Sequence, residues 1–385
     1  MDVIFFMGEY MRGVVVKLHL TPEQEVEFKK NYGCTRKTYN ELLSKYKAKY
    51  GDESRKIPTK KELNQFLKES RKELPYLGEM GSTSLQQARD DLHKAFTNAI
   101  KSKRHNPPKF HSKKKIRPSF RQTIRKDKRP VEKNTLTLRK HGNVTFSTSI
   151  EYLDLLNHPN TKFNNITVYY DGLNHYAVFN IETHPPEQLE LTEKHIGCDI
   201  NSNKNGWLVT SKRLKEFFDV DHENQMIQHI NRLMSKCRKR SKRWKKQQKR
   251  LQKWYNKRTN QLKDYIEKLT YNLVKEYDTI VFEENYSTIK ILIGGEQNMI
   301  FPLSRFIQRL KDKFQLYKPE ADGVQFVKSN NTSRTCHHCG HIKQELHVKT
   351  RNWKCSKCGK ILDRDVNAAI NILNRWFNGD SLENT

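Results

Sequence analysis

Four of the seven cysteines form two Cys-x-x-Cys pairs near the C-terminus, separated by 15 residues. These four are Cys336, Cys339, Cys355 and Cys358. Two pairs at this spacing supply the four thiolates of a closed tetrahedral Zn²⁺ site. His337, His338 and His341 are alternative ligands, but the paired arrangement favours four sulfurs. Because no position would stay open to water, the predicted zinc is structural and folds a segment too small to have its own core.

Three carboxylates, far apart in sequence, adjoin segments predicted to lie in a core. Asp199 ends the apolar run HIGCDIN, and Glu283 ends TIVFEEN with Glu284 beside it. Asp365 begins the apolar-faced segment DVNAAINIL, with Asp363 two residues earlier. Carboxylates at such positions are costly to bury unless they bind a cation, and three that converge could hold two Mg²⁺ ions for phosphodiester hydrolysis. Each also has a simpler interpretation, as a helix N-cap or as a solvent-facing strand end.

A basic run between Lys236 and Arg258 contains 13 Lys and Arg residues and no acid. It falls in a region predicted to be helical from about 222 to 278. Such a run on a bare helix repels itself, so contact with phosphates is favoured over a solvated face. The predicted contacts from this run are Lys236, Arg238, Arg240, Arg243, Trp244, Arg250 and Trp254.

The composition also favours a nucleic-acid partner. The chain has 385 residues and a formal net charge of +30, which a polyanion would neutralise. No apolar run is long enough to span a membrane, and the first residues do not resemble a signal peptide. With Cys34, Cys198 and Cys237 scattered singly, a reducing compartment is expected: the cytoplasm near the nucleoid in a prokaryote, or the nucleus in a eukaryote.

The elements that must position these residues follow from periodicity. Residues 14–20 are predicted to be a strand, and Thr21 and Pro22 to start a helical region that extends to about 101. Strands at TLTLRK, NVTFST, NITVYY and HYAVFNIE predict a small β-barrel or sheet. One helix face is expected to be buried, formed by Leu85, Ala88, Leu92, Ala95, Phe96 and Ala99.

The second half is predicted to mix strands and helices. Residues 195–212 are expected to form a hairpin, and DTIVFEENY a buried strand ending in carboxylates. A helix at about 302–316, a strand at 324–328 and a last amphipathic helix at DVNAAINILNRWF complete the pattern.

With these motifs in place, the chain resembles the TnpB family of transposon-associated proteins, which are relatives of the type V CRISPR nucleases. IGCDINSNKNGWLVTS, TIVFEENY and DRDVNAAINIL are similar to its three RuvC motifs, and NTSRTCHHCG with NWKCSKCG to its zinc ribbon. The resemblance places the catalytic triad, with its Mg²⁺ ions, on Asp199, Glu283 and Asp365. Asp365 is preferred to Asp363 because of the following x-Asn-Ala-Ala, and Glu283 to Glu284 because of strand alternation. Many relatives have Gly at the position of Asn201 and Leu at that of Asn285.

The resemblance implies an α/β multidomain fold. Residues 11–20 and 115–190 would form a wedge-like β-barrel, and 21–114 a helical recognition domain. Residues 191–335 and 359–378 would form a split RNase H-like (RuvC) core, into which the zinc ribbon at 336–358 is inserted, followed by a tail at 379–385.

The implied activity is RNA-guided cleavage of double-stranded DNA after a short adjacent motif is read, by a protein expected to be a monomer. SLQQARDDLHKAF and PPKFHSKKKIRPSFR are similar to the family's N-terminal recognition region. Ser84 and Gln87 are the candidates for base contacts, and Lys109, Lys113 and Arg121 for further nucleic-acid contacts.

Two other functions stay open. One is a guided DNA-binding repressor that has lost cleavage, which Mg²⁺-dependent cleavage would exclude. The other is a zinc-ribbon accessory protein that binds DNA without a guide, which a specific co-purified RNA would exclude. The sequence has no His-x-His pair typical of single-strand transposases.

Overall fold

The computed structural model of the protein describes residues 10–54, 56–101, 107–125, 128–201, 206–284, 302–347 and 350–379. They divide into two compact units, one ending at Pro185 and one beginning at Pro186. Within this part of the chain, no helix is both long and apolar enough to cross a membrane. Asn285 and residues 380–385, named above, lie outside the described residues.

The first unit contains a seven-stranded sheet in which all neighbours are antiparallel. Its strands are β1 (Tyr10–His19), β2 (Ser119–Thr123), β3 (Val131–Glu132), β4 (Thr135–Leu138), β5 (Gly142–Ser147), β6 (Lys162–Tyr170) and β7 (His175–Thr183). The order is β2-β6-β7-β1-β5-β4-β3, so β1 lies in the middle although about a hundred residues separate it from β2. Gln122 on the edge strand β2 donates to the carbonyl of Arg139, just beyond β4. The two opposite edges of the sheet therefore approach each other. Closure of the sheet into a barrel stays a prediction.

Three helices lie between β1 and β2 in the chain, as the periodicity predicted. They are α1 (Pro22–Tyr50), α2 (Lys60–Glu73) and α3 (Ser82–Lys101), with a 3₁₀ turn at Pro75–Glu79. Thr21 caps α1: the backbone N–H of Gln24 donates to its hydroxyl, and the Gln24 side chain accepts from the N–H of Thr21. On α3, Leu85, Ala88, Leu92 and Phe96 are buried, and Ala95 and Ala99 are half-buried.

Two elements of this unit were not predicted. Strand β2 lies in a strongly basic stretch of the sequence, yet its alternate residues Phe120 and Gln122 are buried. Helix α4 (Ile150–Asn157) begins at the N-cap Ser149 and is only two turns long. Short elements of this kind carry too few residues for a periodic pattern.

The second unit contains a five-stranded mixed sheet. Its strands are β8 (His195–Ile200), β9 (Leu208–Thr210), β10 (Lys215–Glu216), β11 (Thr279–Glu283) and β12 (Gly323–Val327). The order is β10-β9-β8-β11-β12; the first three are antiparallel neighbours, and β8, β11 and β12 run parallel. The helices are α5 (Asp221–Ser235), α6 (Lys242–Glu276), α7 (Leu303–Tyr317) and α8 (Arg364–Phe377).

The region predicted to be helical, from about 222 to 278, consists of two helices with a turn between them. Helix α5 ends at Ser235, and α6 begins at Lys242 after a turn in which Arg240 has a φ of +68°. Ser241 caps the new helix, with its hydroxyl accepting from the N–H of Trp244 at 3.1 Å. The basic run therefore occupies a turn and the start of α6.

Helix α8 packs against the sheet face opposite the main core. Ile280 and Phe282 of β11 belong to the core that α6 and α7 share, whereas Val281 clusters with Ile372 of α8. Gly197 of β8 makes the contact possible, since a Cβ there would lie 2.1 Å from the Ala369 carbonyl oxygen. Strand and helix thus meet backbone to backbone.

This close contact predicts the effect of a single methyl group. Gly197→Ala should lower the free energy of unfolding by about 1–3 kcal/mol, because α8 must shift to make room. Gly13→Ala is the control, since its Cβ would meet only Val178 at an ordinary 3.7 Å. Urea denaturation measures the stability of both variants, provided that their m-values are unchanged. Equal denaturation midpoints for Gly197→Ala and Gly13→Ala would contradict the packing described.

Candidate active site and metal centre

The four cysteines of the ribbon converge. Their Sγ atoms all lie within 4.8 Å of one another; Cys336 and Cys358 are 3.7 Å apart, and Cys339 and Cys355 are 3.6 Å apart. Tetrahedral zinc with Zn–S bonds of about 2.3 Å separates its sulfurs by about 3.8 Å. The group could therefore hold Zn²⁺ with little change in geometry.

Each cysteine pair sits in a turn of the same form. Gly340 donates to the Cys336 carbonyl and Gly359 to the Cys355 carbonyl, both at 2.9 Å, and both glycines have positive φ angles near 70°. The second turn joins β13 (Asn352–Lys354) to β14 (Ile361–Asp363). Backbone N–H groups, that of Cys358 foremost, lower the pKa of Cys355 to about 6, which favours a thiolate.

Two of the three neighbouring histidines have other partners. The ring of His337 bonds to the Asn367 side chain at 3.0 Å, and that of His341 to Ser356 at 2.8 Å. The convergence of the four sulfurs supports them as the ligand set that the sequence predicted.

Two of the three predicted acids end parallel neighbouring strands. Strands β8 and β11 pair in register through Gly197 and Val281, and Asp199 and Glu283 each lie two residues farther along. The carboxyl ends of parallel neighbours meet at one edge of a sheet, so both acids lie at that edge. Asp365 reaches it from the first turn of α8.

The structure separates each acid from its neighbour in sequence. Glu283 is half-buried, whereas Glu284 is exposed. Asp363 is the N-cap of α8: it accepts from the N–H groups of Asp365 and Val366 and pairs with Lys215 at 2.8 Å. Capping thus belongs to Asp363, while Asp365 is buried, with 3% of its surface exposed.

Each of the three acids accepts a hydrogen bond from one other side chain. Asn201 donates to Asp199 at 2.9 Å, and Thr332 donates to Glu283. Arg351 donates through one nitrogen to both oxygens of Asp365, at 2.9 and 3.1 Å. Asn201 is therefore a direct partner of Asp199.

Arg351 was missed from the sequence because it lies in the ribbon, between the two cysteine pairs. The pairing of β13 with β14 could have indicated it, because this pairing sets Asn352 opposite Asp363. Arg351 then lies beside Arg364, and the backbone N–H of Arg364 donates to the Arg351 carbonyl at 2.7 Å. A hairpin that ends at α8 thus delivers a cation to Asp365.

Two buried amides on α8 were also missed. Asn367 and Asn371 each donate to the Thr335 carbonyl at 2.7 Å, and Asn371 also donates to that of Thr332 at 2.7 Å. They hold the loop that leads into the ribbon, and this loop carries the hydroxyl bonded to Glu283. The Asn-Ala-Ala-Ile-Asn pattern therefore has a structural function beyond a helix face.

All three acids are electrostatically strained. Burial raises the pKa of Asp199 well above its usual value, and the nearby charges of Glu283 and Asp365 raise it further. Burial also raises the pKa of Glu283, against the hydrogen bond from Thr332, and that of Asp365, against the charge of Arg351. Such a group of carboxylates gains from a bound cation.

The donor set is the oxygen-only set that Mg²⁺ prefers. Within the described residues, the four cysteines alone bring three or more potential ligand atoms within 4.8 Å. Glu283 and Asp365 therefore lie close enough to Asp199 to raise its pKa, but the ligand oxygens of the three acids are not all within 4.8 Å of one another.

The basic run is largely exposed, apart from its aromatic residues. The Trp254 ring packs edge-on against that of His222 of α5, with the ring centroids 5.3 Å apart, and Lys257 forms an ion pair with Glu223 at 2.9 Å. Trp244 is half-buried, whereas the Lys and Arg residues from 236 to 253 are exposed. Phosphate contact by this surface stays a prediction, with Trp254 serving the α5–α6 packing.

The predicted contacts in the first unit differ in exposure. Ser84 is fully buried, so a base contact by its hydroxyl stays a prediction that requires α3 to move. Gln87 is half-buried and donates to Thr123 at 3.1 Å, and Arg121 pairs with Asp91 at 3.2 Å. Lys109 and Lys113 are exposed.

Family models match three parts of this chain. Residues 7–55 match a helix-turn-helix domain of the IS605 OrfB type, where the structure has β1 followed by α1. Residues 178–289 match the IS605 OrfB family, described as "Probable transposase", and residues 304–372 match the Cas12f1-like TNB domain. The chain thus carries TnpB-like and Cas12f1-like domains, and the resemblance drawn from the sequence is confirmed.

Full-length relatives agree. A protein of Streptomyces pristinaespiralis named "Putative RNA-guided DNA endonuclease" is 27% identical over 387 residues, covering 95% of this chain and 90% of that protein. InsQ of Escherichia coli strain K12, which has the same description, is 23% identical over 378 residues, covering 93% of this chain and 90% of InsQ.

A solved structure matches the fold. A chain of the Cas12f1-sgRNA-target DNA complex, determined by cryo-EM, matches with a TM-score of 0.59 at 16% identity, over 92% of this chain and 83% of that one. The chain therefore has a mixed α/β, Cas12f1-like fold.

The ribbon geometry predicts about one Zn²⁺ per chain. Cys355→Ser should lose the metal and the order of the ribbon, whereas Cys237→Ser, outside the ribbon, should keep both. Elemental analysis and limited proteolysis measure the two effects. Carefully purified wild-type protein without zinc would contradict the prediction.

The pKa shifts predict opposite effects for two aspartates. The raised pKa of Asp199 makes its ionised form cost stability as pH rises above the unfolded value of about 4, so Asp199→Asn should stabilise metal-free protein at pH 8. This gain should shrink as pH falls to 5 and vanish below 4. Thermal denaturation without divalent metal measures it.

Asp363 is the matched control. Burial alone would raise its pKa, but Lys215 and the N–H groups of α8 outweigh that and lower it. Asp363→Asn should therefore destabilise the protein equally at pH 8 and pH 5, and the loss should disappear only below pH 4. If both variants changed stability in the same direction at pH 8, the two environments would be misassigned.

Proposed function

We propose that this protein is an RNA-guided DNA endonuclease of a transposable element. It hydrolyses phosphodiester bonds of target DNA after guide pairing and recognition of a short adjacent motif. The convergence of Asp199, Glu283 and Asp365 at one edge of the mixed sheet carries the proposal, because three carboxylates whose pKa values are all raised, that of Asp199 partly by the charges of the other two, are suited to bind divalent metal. The order of that sheet, three antiparallel strands followed by two parallel ones, supports an RNase H-like core.

Asp199, Glu283 and Asp365 would hold two Mg²⁺ ions. When bound, the metals supply an activated water and stabilise the leaving oxygen of the phosphodiester. The chain's own residues do the positioning: Asn201 and Thr332 orient two of the carboxylates, and the α8 N-terminus favours the third.

Arg351 neutralises Asp365 in the metal-free protein. Its guanidinium stands at the carboxylate cluster, where a substrate phosphate would approach. A cation that donates hydrogen bonds can move from a carboxylate to a phosphate oxygen, so Arg351 is suited to hold the scissile group once metal replaces it at Asp365.

The nucleic-acid partners follow from charge and resemblance. The exposed Lys and Arg residues of the basic run, together with a net charge of +30, suit a large polyanion. The relatives are named as RNA-guided endonucleases, and the matching fold was solved with guide RNA and target DNA. Base pairing with a guide would then select the target, and the protein would read the duplex and the short motif.

Replacing any one of the three acids with Ala should abolish DNA cleavage and leave guided binding intact, because binding would depend on the basic surfaces. Arg351→Ala should slow cleavage about a hundredfold, and Arg351→Lys should recover part of the rate. The assay compares Mg²⁺-dependent cleavage with binding of the same target, using protein loaded with its co-purified RNA.

Glu284→Ala and Asp363→Ala are the controls within the same motifs. Both should cleave, with Asp363→Ala reduced in stability by the loss of its cap. Full cleavage by Asp365→Ala with none by Asp363→Ala would show that the wrong aspartate was chosen. Undiminished cleavage by all five alanine variants of acids would exclude the RuvC mechanism, and binding without cleavage by wild type would favour a repressor.

A further inference from the structure

A cavity of about 460 Å³ opens within the first unit, whereas the carboxylates and the ribbon belong to the second. Helix α1 forms one wall, α3 another, and residues 111–119 the third. Pockets for small molecules begin at about 300 Å³, so this cavity has room for a group the size of one nucleotide and none for a helical segment.

The third wall is held firmly on α1. Asn40 donates to the His111 carbonyl at 3.0 Å and accepts from the His111 N–H at 2.7 Å. The His111 ring also stacks on Tyr39, with centroids 3.7 Å apart and planes 8° from parallel. The segment next enters the sheet at Ser119, which pairs with Tyr169. Anchored at both ends, it presents Lys113 and Arg117 to the cavity.

The charge around the cavity is positive and largely unpaired. Arg36 of α1 is half-buried in the wall, and neither its side chain nor that of Lys113 forms a hydrogen bond or ion pair with a described residue. Arg117 lies over the Tyr169 ring at 4.6 Å and has no acidic partner among those residues. A half-buried guanidinium without a partner is costly, and an anion in the cavity would supply one.

The remaining charged groups of the wall are already paired. Lys29 pairs with Glu25 at 2.6 Å. Asp91, the acid in the wall, pairs with Arg121 at 3.2 Å. The cations left over therefore outnumber the acids.

Helix α1 has a glycine, Gly33, at the point where it lines the cavity. It lies in the interior of α1, where glycine is the least favourable residue apart from proline. A Cβ at this position would meet nothing within 4 Å, so close packing does not explain it. Its missing side chain leaves room in the cavity it lines.

We propose that this cavity takes one unpaired nucleotide of the bound nucleic acid. The base would lie against the half-buried ring of Tyr170, next to the bare backbone of Gly33, and the phosphate would contact Arg36 and the cations of the third wall. Proteins commonly recognise unpaired bases by aromatic stacking and their phosphates by cations. The proposal rests on the function proposed above, since it requires a chain that binds nucleic acid.

The test uses the full-length protein freed of co-purified RNA, with short fluorescent oligonucleotides of one sequence as single-stranded RNA, single-stranded DNA and duplex DNA. Arg36→Gln removes the unpaired charge, and Gly33→Leu fills the cavity with a better helix former. Both should weaken single-strand binding about tenfold, equivalent to about 1.4 kcal/mol, and duplex binding by less than about twofold. Lys30→Gln, exposed on α1 outside the cavity, is the control and should weaken all probes equally and slightly.

The arms of the experiment separate the sources of the nucleotide. A larger loss with RNA identifies an unpaired nucleotide of the guide, and a larger loss with DNA identifies one of the opened target; either supports the proposal. Wild-type single-strand affinity in a well-folded Gly33→Leu protein would overturn it, as would an equal loss on duplex. If Gly33→Leu does not fold, Arg36→Gln against Lys30→Gln decides.

A parallel cleavage assay keeps this result apart from the proposed function. If wild type cleaves its target and both variants bind single strands normally, the cavity proposal alone fails. If the variants lose single-strand binding but wild type never cleaves with its own RNA, the cavity proposal stands and the nuclease proposal fails.

Discussion

The contact between β8 and α8 at Gly197 is the constraint on which the candidate active site depends. Since Gly197 has no side chain, the Ala369 carbonyl and Leu373 approach the strand more closely than any Cβ would allow. That approach sets α8 beside the end of β8, so that Asp365 reaches Asp199. The last helix thus determines the site even though it follows Asp199 by more than 150 residues.

Helix α8 also helps to position Glu283. Its buried amides, Asn367 and Asn371, hold the carbonyls of the loop at Thr332–Thr335, and the Thr332 hydroxyl donates to Glu283. One buried helix face therefore links the sheet, the carboxylates and the entrance to the ribbon. The zinc ribbon contributes in turn, because its β13–β14 hairpin carries Arg351 to Asp365. A metal held by the four cysteines would therefore also help to position Arg351 at the candidate active site.

Electrostatic strain gives the site its expected chemistry. Three carboxylates with raised pKa values are held near one another by a core whose packing does not depend on their charge. Arg351 relieves part of that strain in the metal-free protein, and divalent metal would relieve more.

The sequence predicted the parts of this site that local patterns encode. Alternation in TIVFEE assigned Glu283 to the face that α8 covers, and the cysteine spacing predicted the four-sulfur group. Arg351 and Thr332 escaped prediction because their roles come from partners far away in sequence, which no periodic pattern reports. The break before Ser241 escaped because strong helix formers flank it, and a serine cap with one residue at positive φ outweighed their propensity.

Manganese electron paramagnetic resonance tests the central claim most directly. Mn²⁺ takes the same oxygen ligands as Mg²⁺, and two ions about 4 Å apart in a shared carboxylate site give an exchange-coupled spectrum. With protein bound to its RNA and target DNA, the account predicts a coupled pair that Glu283→Gln abolishes and Glu284→Gln preserves. A spectrum of isolated ions only, or a coupled pair unchanged by Glu283→Gln, would contradict the convergence of the three acids on one metal site.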